Sequence, residues 1–167
     1  MAVVVSDTSP IQALANVGLL HVLPRIFGQV MVPPAVVAEL AKARLGSSPV
    51  LVDQMPFIIV RAPSDAAMVD RLRLELHPGE AEAIALAVEL GVDSLLIDEL
   101  DGRAVASRYG IRTIGAMGIL LKFKECHYIS EVAPLIERLR KVHQFRLSAK
   151  LIANTLRLAG ELPADSE

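Results

Sequence analysis

The chain has 167 residues and a mass of 18.0 kDa, room for one domain and little more. Hydrophobic residues make up 53%, charged residues 22%, and mean hydropathy is +0.46, which excludes a disordered chain. A single cysteine, Cys126, excludes a disulfide framework and a cysteine-based zinc cluster, and a net charge of −2 excludes a chain that gathers nucleic acid by bulk charge.

Val3-Val4-Val5 is a short β-branched run ending at Ser6-Asp7 and reads as a buried strand. Ser9-Pro10 then reads as an N-cap with proline at the first helical position, and Ile11, Leu14 and Ala15 give the helix its apolar stripe up to Gly18. A second short helix is expected over 19–27, bent near Pro24, followed by the strand Val30-Met31-Val32. Pro33-Pro34 ends that strand and opens a helix through Ala43; residues 44–50 form a loop. A strand is expected over 57–60, a helix over 64–76, and a strong helix from Glu80 to Leu90 stopped by Gly91. Leu95-Leu96-Ile97 is a fully apolar strand ending at Asp98, with a helix over 101–109 and an edge strand at Arg112-Thr113-Ile114 after it. Helices are expected over 115–124, 130–144 and 149–158. Strands alternate with helices for two-thirds of the chain, the pattern of a parallel α/β sheet, and the last third is helical.

Aromatics are 4% of the residues and tryptophan is absent, so the core must be aliphatic. No apolar run reaches the ~18–20 residues of a spanning helix, and Met1 to Asp7 lacks the basic start of a signal peptide. A cytoplasmic protein without a membrane segment is expected. Charge is uneven: residues 1–100 carry a balance of −6 and residues 101–160 a balance of +7. From charge alone, a solvated helical surface is the simpler account; an acidic metal site beside a phosphate-binding rim is the other.

The acids carry more information. Asp7 and Asp98 each follow a buried strand, and in a parallel sheet the strand C-termini share one edge where ligands bind. Glu39 is flanked by Val36, Val37, Ala38 and Leu40 on an apolar helix. Glu80 stands in the first turn of its helix, on the face of Ile84, Ala87 and Gly91, whereas Glu82 runs with Glu89 toward solvent. Each acid alone is a turn, cap or surface residue. Together they predict a shared pocket, because an unpaired carboxylate on an apolar face is costly to bury and a cation removes that cost. Oxygen ligands without Cys or His beside them select Mg²⁺ or Mn²⁺.

These segments resemble the PIN domain family. Val3 to Pro10 looks like its opening strand, Asp and hydroxyl residue; Pro33 to Leu40 resembles its Glu-bearing helix. Gly79 to Ala87, followed by Leu90-Gly91, resembles the third motif, and Leu95-Leu96-Ile97-Asp98 the fourth. The segment 130–160 and Leu158-Ala159-Gly160-Glu161 resemble an uncharacterised prokaryotic branch near the VapC-like toxins. The resemblance implies a three-layer α/β/α sandwich with a mainly parallel central sheet and a helical C-terminal extension. It divides the chain into a PIN-like domain at 1–128, an extension at 129–160 and an acidic tail at 161–167.

The resemblance further implies a metal-dependent ribonuclease, the toxin of a toxin–antitoxin pair, acting on RNA as a homodimer and restrained by an antitoxin protein. Asp7, Glu39, Glu80 and Asp98 match the acidic quartet that is both catalytic and metal-binding, with Ser9 as the supporting hydroxyl. The chain departs from the toxins in having Glu80 where Asp is commoner, and Leu96 and Glu99 around the fourth acid, so Glu82, Glu99 and Asp101 are candidate substitutes. Arg103, Arg108, Arg112, Lys122 and Lys124 are candidate contacts to the RNA backbone, each also readable as a solvated helix face. Apolar residues along 132–139 give a separate reason to expect self-association.

His77 reads as a loop residue, and His21, His127 and His143 show no ligand spacing. An aspartate-nucleophile phosphohydrolase would carry a second Asp where Ser9 stands, and ranks low. The alternative from another class is a PIN-like module that binds nucleic acid or assembles without cleaving.

Overall fold

The computed structural model describes residues 3–42, 47–142 and 145–162. Met1, Ala2, Ala43, residues 44–46 of the loop read at 44–50, His143, Gln144 and the tail acids Asp165 and Glu167 lie outside them.

Strands β1 (Val4–Ser6), β2 (Val30–Val32), β3 (Ile58–Val60), β4 (Ser94–Leu96) and β5 (Arg112–Ile114) form one parallel sheet in the order β3-β2-β1-β4-β5. Each strand is three residues long, so pleat alternation alone divides its side chains between two cores. Val4, Val30, Val32, Ile58 and Leu96 enter one cluster; Val5, Met31 and Leu95 enter the other.

Over the first face lie α1 (Thr8–Asn16), α2 (Leu23–Phe27), α7 (Ala116–Glu125), α8 (Ala133–Arg140) and α9 (Ala149–Leu158), through residues such as Ile11, Leu23, Phe123, Ile136 and Leu156. Over the second lie α4 (Ala66–Leu72), α5 (Pro78–Leu90) and α6 (Leu100–Arg108), through Val69, Ile84, Leu86 and Val105. Helix α3 (Pro34–Ala41) gives Val36 and Leu40 to the first cluster while packing along α5. The result is a three-layer α/β/α sandwich with a wholly parallel sheet.

The order reverses at β1. Chain progress from β1 runs outward through β2 to β3, then returns to place β4 on the other side of β1. The C-terminal ends of β1 and β4 therefore flank the switch point, the crevice where ligands bind in open α/β sheets.

Several boundaries differ from expectation. Helix α1 starts at Thr8, not Pro10, because Asp7 still donates its backbone amide to the Leu96 carbonyl at 2.8 Å and then turns with φ −79° and ψ 177°. Ser9 is thus inside the helix, and the N-cap position belongs to Asp7. Strand β4 ends at Leu96, with Ile97 bonded on to the Ile114 carbonyl at 3.0 Å before the chain reaches Asp98. Helix α4 stops at Leu72, and 73–75 are turns rather than helix.

Helix α8 spans 133–140 rather than the expected 130–144, with proline near its start. Its Val132, Ile136 and Leu139 are buried in the chain's own core, so they offer no apolar face to a second copy. Glu161 accepts hydrogen bonds from the Val132 and Ala133 amides at 2.8 and 2.9 Å and pairs with Lys124 at 3.0 Å. The chain just after α9 is thereby tied to the start of α8 and to α7. Among the described residues no helix is long and apolar enough to cross a membrane.

Candidate active site

Asp7 and Asp98 leave neighbouring strands: Ser6 is in register with Leu96, and each acid follows within two residues. Asp7 is 3% exposed, and its Oδ1 has no hydrogen-bond partner among the described residues. Asp98 Oδ1 accepts from the Ala116 amide at 2.7 Å, at the N-terminus of α7, while its Oδ2 is buried without a partner among the described residues. Two orphaned carboxylate oxygens at one sheet edge are costly as they stand and are fit to bind a cation.

Glu39 reaches the same region from α3. Thr8 Oγ1 donates to Glu39 Oε2, a bond from the first residue of α1 to the middle of α3. The carboxylate lies against Gly79 near the start of α5: a Cβ there would stand 2.7 Å from Oε1 and 2.8 Å from Oε2. Glu80 follows Gly79 and is 6% exposed. Its Oε2 lies 3.6 Å from where a Cβ on Gly102 would stand, which brings α6 over the site.

Electrostatics joins the four. Burial is the main cause that raises the Asp7 pKa to about 7; the Thr8 amide opposes it, and the charges of Glu80, Glu39 and Asp98 push it further up. Burial also raises Glu80, against the pull of nearby His77, with Glu99 and Glu39 adding to the rise. Burial raises Asp98, opposed by the Ala116 amide and the Arg103 guanidinium and assisted by Glu99. Arg103 and Asp98 crowd one point over Gly115, where a Cβ would meet Nη1 at 3.1 Å and Oδ1 at 2.7 Å.

The donor set is all oxygen, which suits a hard divalent cation, and Asp7 and Asp98 each keep one oxygen without a partner among the described residues. Among the described residues no three His, Cys, Asp or Glu side chains stand grouped so as to hold a metal ion as they are. Glu39 and Asp98 instead spend one oxygen each on Thr8 and on the Ala116 amide.

The substitutes fall differently. Glu82 does not point to solvent: the Ala35 amide at the start of α3 donates to its Oε2 at 2.7 Å, so it serves as an anchor between α3 and α5. Glu99 and Asp101 line a cleft of about 260 Å³ with Glu80, Arg73, Leu74 and His77. A larger hollow of about 460 Å³, between the end of α1 and residues 48–55, contains none of these acids.

The basic residues do not make one surface. Arg103 and Arg108 are on α6 and Lys122 and Lys124 on α7, which cover opposite faces of the sheet. Arg108 is paired with Glu75 at 2.7 Å, and Lys124 is tied to the Ala159 carbonyl at 2.6 Å and to Glu161. Arg112 is exposed on edge strand β5.

Sequence reasoning passed over three features. Thr8, not Ser9, supplies the hydroxyl bonded to an acid; its signal was adjacency to Asp7. Gly79 leaves the space Glu39 fills, and a glycine beside an acid in the first turn of a helix was that signal. His77 is the loop residue expected, at the N-cap position just before α5, and its place in the lining of the cleft is the third feature.

A search of curated proteins finds no match. A family model described as "DUF3368: PIN domain" matches residues 3–161, which spans all five strands and the helical extension. With that match on this fold, the chain belongs to the PIN domain family.

Proposed function

We propose that this protein is a divalent-metal-dependent endoribonuclease whose Mg²⁺ or Mn²⁺ is held by Asp7 and Asp98, with Glu39 and Glu80 completing the site. The observation that carries the reading is Asp7: almost fully buried at the switch point, with an unpartnered carboxylate oxygen and a proton affinity raised by burial and three neighbouring acids. PIN domains are generally nucleases, and the family match supports that coarser level.

A bound divalent cation would neutralise a scissile phosphate and lower the pKa of a water at this position. Thr8 holds Glu39 in one orientation, and a fixed carboxylate is what a proton acceptor for the attacking water requires. Glu80, within the field of Glu39 and buried at the inner end of the cleft, orients that water from the α5 side. Arg103 stands beside Asp98, suited to a phosphate oxygen of the substrate. The finer reading, a toxin restrained by an antitoxin and acting as a homodimer, rests on the family resemblance alone.

The test compares wild type with Asp7→Asn. Thermal melting with and without Mn²⁺, beside cleavage of a single-stranded RNA, is expected to give a metal-dependent rise and cleavage in wild type only. Equal metal-induced shifts in both proteins, with no cleavage by either, would leave a binding module as the better account.

A further inference from the structure

Resting on the nuclease reading, we infer that the cleft outside Glu80 is a subsite for one guanine nucleotide beside the scissile phosphate. The cleft holds about 260 Å³, the scale of a single nucleotide, and its lining sets Arg73, His77, Leu74 and Leu76 beside four carboxylates, of which Glu75 is already paired with Arg108. Leu74 lines it while 88% exposed, an apolar plate with nothing of its own chain upon it, suited to the face of a base. Arg73 and His77 line it beside Leu74 and suit the flanking phosphate. At the inner end Glu80, 6% exposed, meets the cleft, its carboxylate held by the His77 backbone amide. The subsite therefore opens directly onto the acids.

The base is selected by the remaining carboxylates. Glu99 directly follows Asp98, so of the cleft's carboxylates it stands with the metal-binding group. Asp101, in the first turn of α6, lines the same cleft and is exposed, which leaves it as an acceptor for a substrate edge. A carboxylate takes two parallel N–H donors. Among the RNA bases only guanine presents two adjacent donors, N1–H and the 2-amino group, on its Watson–Crick edge. Uracil would instead set a carbonyl against a carboxylate.

The experiment is digestion of a randomised single-stranded RNA by the full chain with Mn²⁺, followed by sequencing of the cut ends. It is paired with a titration of the metal-free protein by 5′-GMP, 5′-UMP and a short oligolysine, read from backbone amide shifts. Expected are enrichment of G at one fixed position beside the cut, and GMP binding at least about tenfold tighter than UMP, centred on Leu74 and Asp101. In Asp101→Asn the G enrichment should fall about tenfold, and in Leu74→Ser KM should rise more than kcat falls. Cutting without base preference, or a preference unchanged in Asp101→Asn, overturns the subsite while leaving the nuclease intact. Saturation of the cleft by oligolysine with no response to GMP overturns it in favour of a cationic protein partner. No cutting of any RNA by wild type overturns the nuclease reading and the subsite with it.

Discussion

Gly79 and Glu39 occupy one space: the glycine's missing side chain is the room the carboxylate uses, and a Cβ would come within 2.7 Å of Oε1. Gly79 is helical, so alanine suits its backbone and raises helix propensity by up to about 1 kcal/mol. The clash falls on the far end of a flexible side chain, which can move. Gly79→Ala is therefore expected to leave the melting temperature unchanged or raised, while Mn²⁺ affinity falls at least about tenfold as Glu39 is displaced. Calorimetric titration beside a thermal melt checks this; undiminished metal affinity would remove Glu39 from the site.

The Asp7 pKa, raised to about 7, makes stability depend on pH in a defined direction. Between about 4 and 7 the folded chain holds a proton at Asp7 that the unfolded chain has released, so stability of the metal-free protein falls as pH rises through that window. Glu80 and Asp98, also raised, act in the same sense. Urea unfolding in EDTA should show the protein more stable at pH 5 than at pH 8, by on the order of a few kcal/mol. Asp7→Asn should flatten most of that dependence and melt higher than wild type at pH 8. A flat wild-type profile would contradict the burial of an uncompensated acid.

Thr8 and Ser9 can be told apart. Thr8→Val keeps the shape and removes the hydroxyl bonded to Glu39. Metal affinity should drop about tenfold, with a stability cost near 1 kcal/mol. Ser9→Ala should change neither by more than about twofold or 0.5 kcal/mol. The reverse ranking would restore Ser9 as the supporting hydroxyl.

Glu161 gives a contrasting profile. Burial pushes its pKa up, but the Val132 and Ala133 amides and Lys124 outweigh burial and hold it below the ordinary value. Its contribution is present at neutral pH and lost as pH falls through that depressed pKa. Glu161→Gln should cost roughly 1–2 kcal/mol at pH 7 by weakening the cap on α8, with metal affinity unchanged. Denaturant midpoints at pH 7 and pH 3 test it, since the difference between the two proteins should shrink at the lower pH.

The legible parts of this chain are those where composition and period leave one choice. Val30-Met31-Val32, Arg112-Thr113-Ile114 and the helix at 149–158 lie where apolar runs and breakers set them. The acids at the ends of β1 and β4 were readable because strand ends share an edge, although the boundaries slipped by a residue where Asp7 and Ile97 continue the ladder. Pairings across α3, α5 and α6 were not readable. Whether Glu82 faces water or the Ala35 amide depends on how two helices lie together, which spacing along one helix does not encode. The fate of Val132, Ile136 and Leu139 was hidden for the same reason: an amphipathic helix looks alike whether it covers its own core or another's.

Glu82 also decides how the site tolerates change. By accepting the Ala35 amide it fastens the start of α3 to α5, and those helices carry Glu39 and Glu80. The two acids are therefore one mechanical unit, delivered to the sheet edge together, while Asp7 and Asp98 come independently from the strands. A lesion at Glu82, which need touch neither substrate nor metal, would loosen two acids at once, whereas a lesion at Ser6 or Ile97 would disturb one. Damage to this site spreads along the helix pair rather than along the chain.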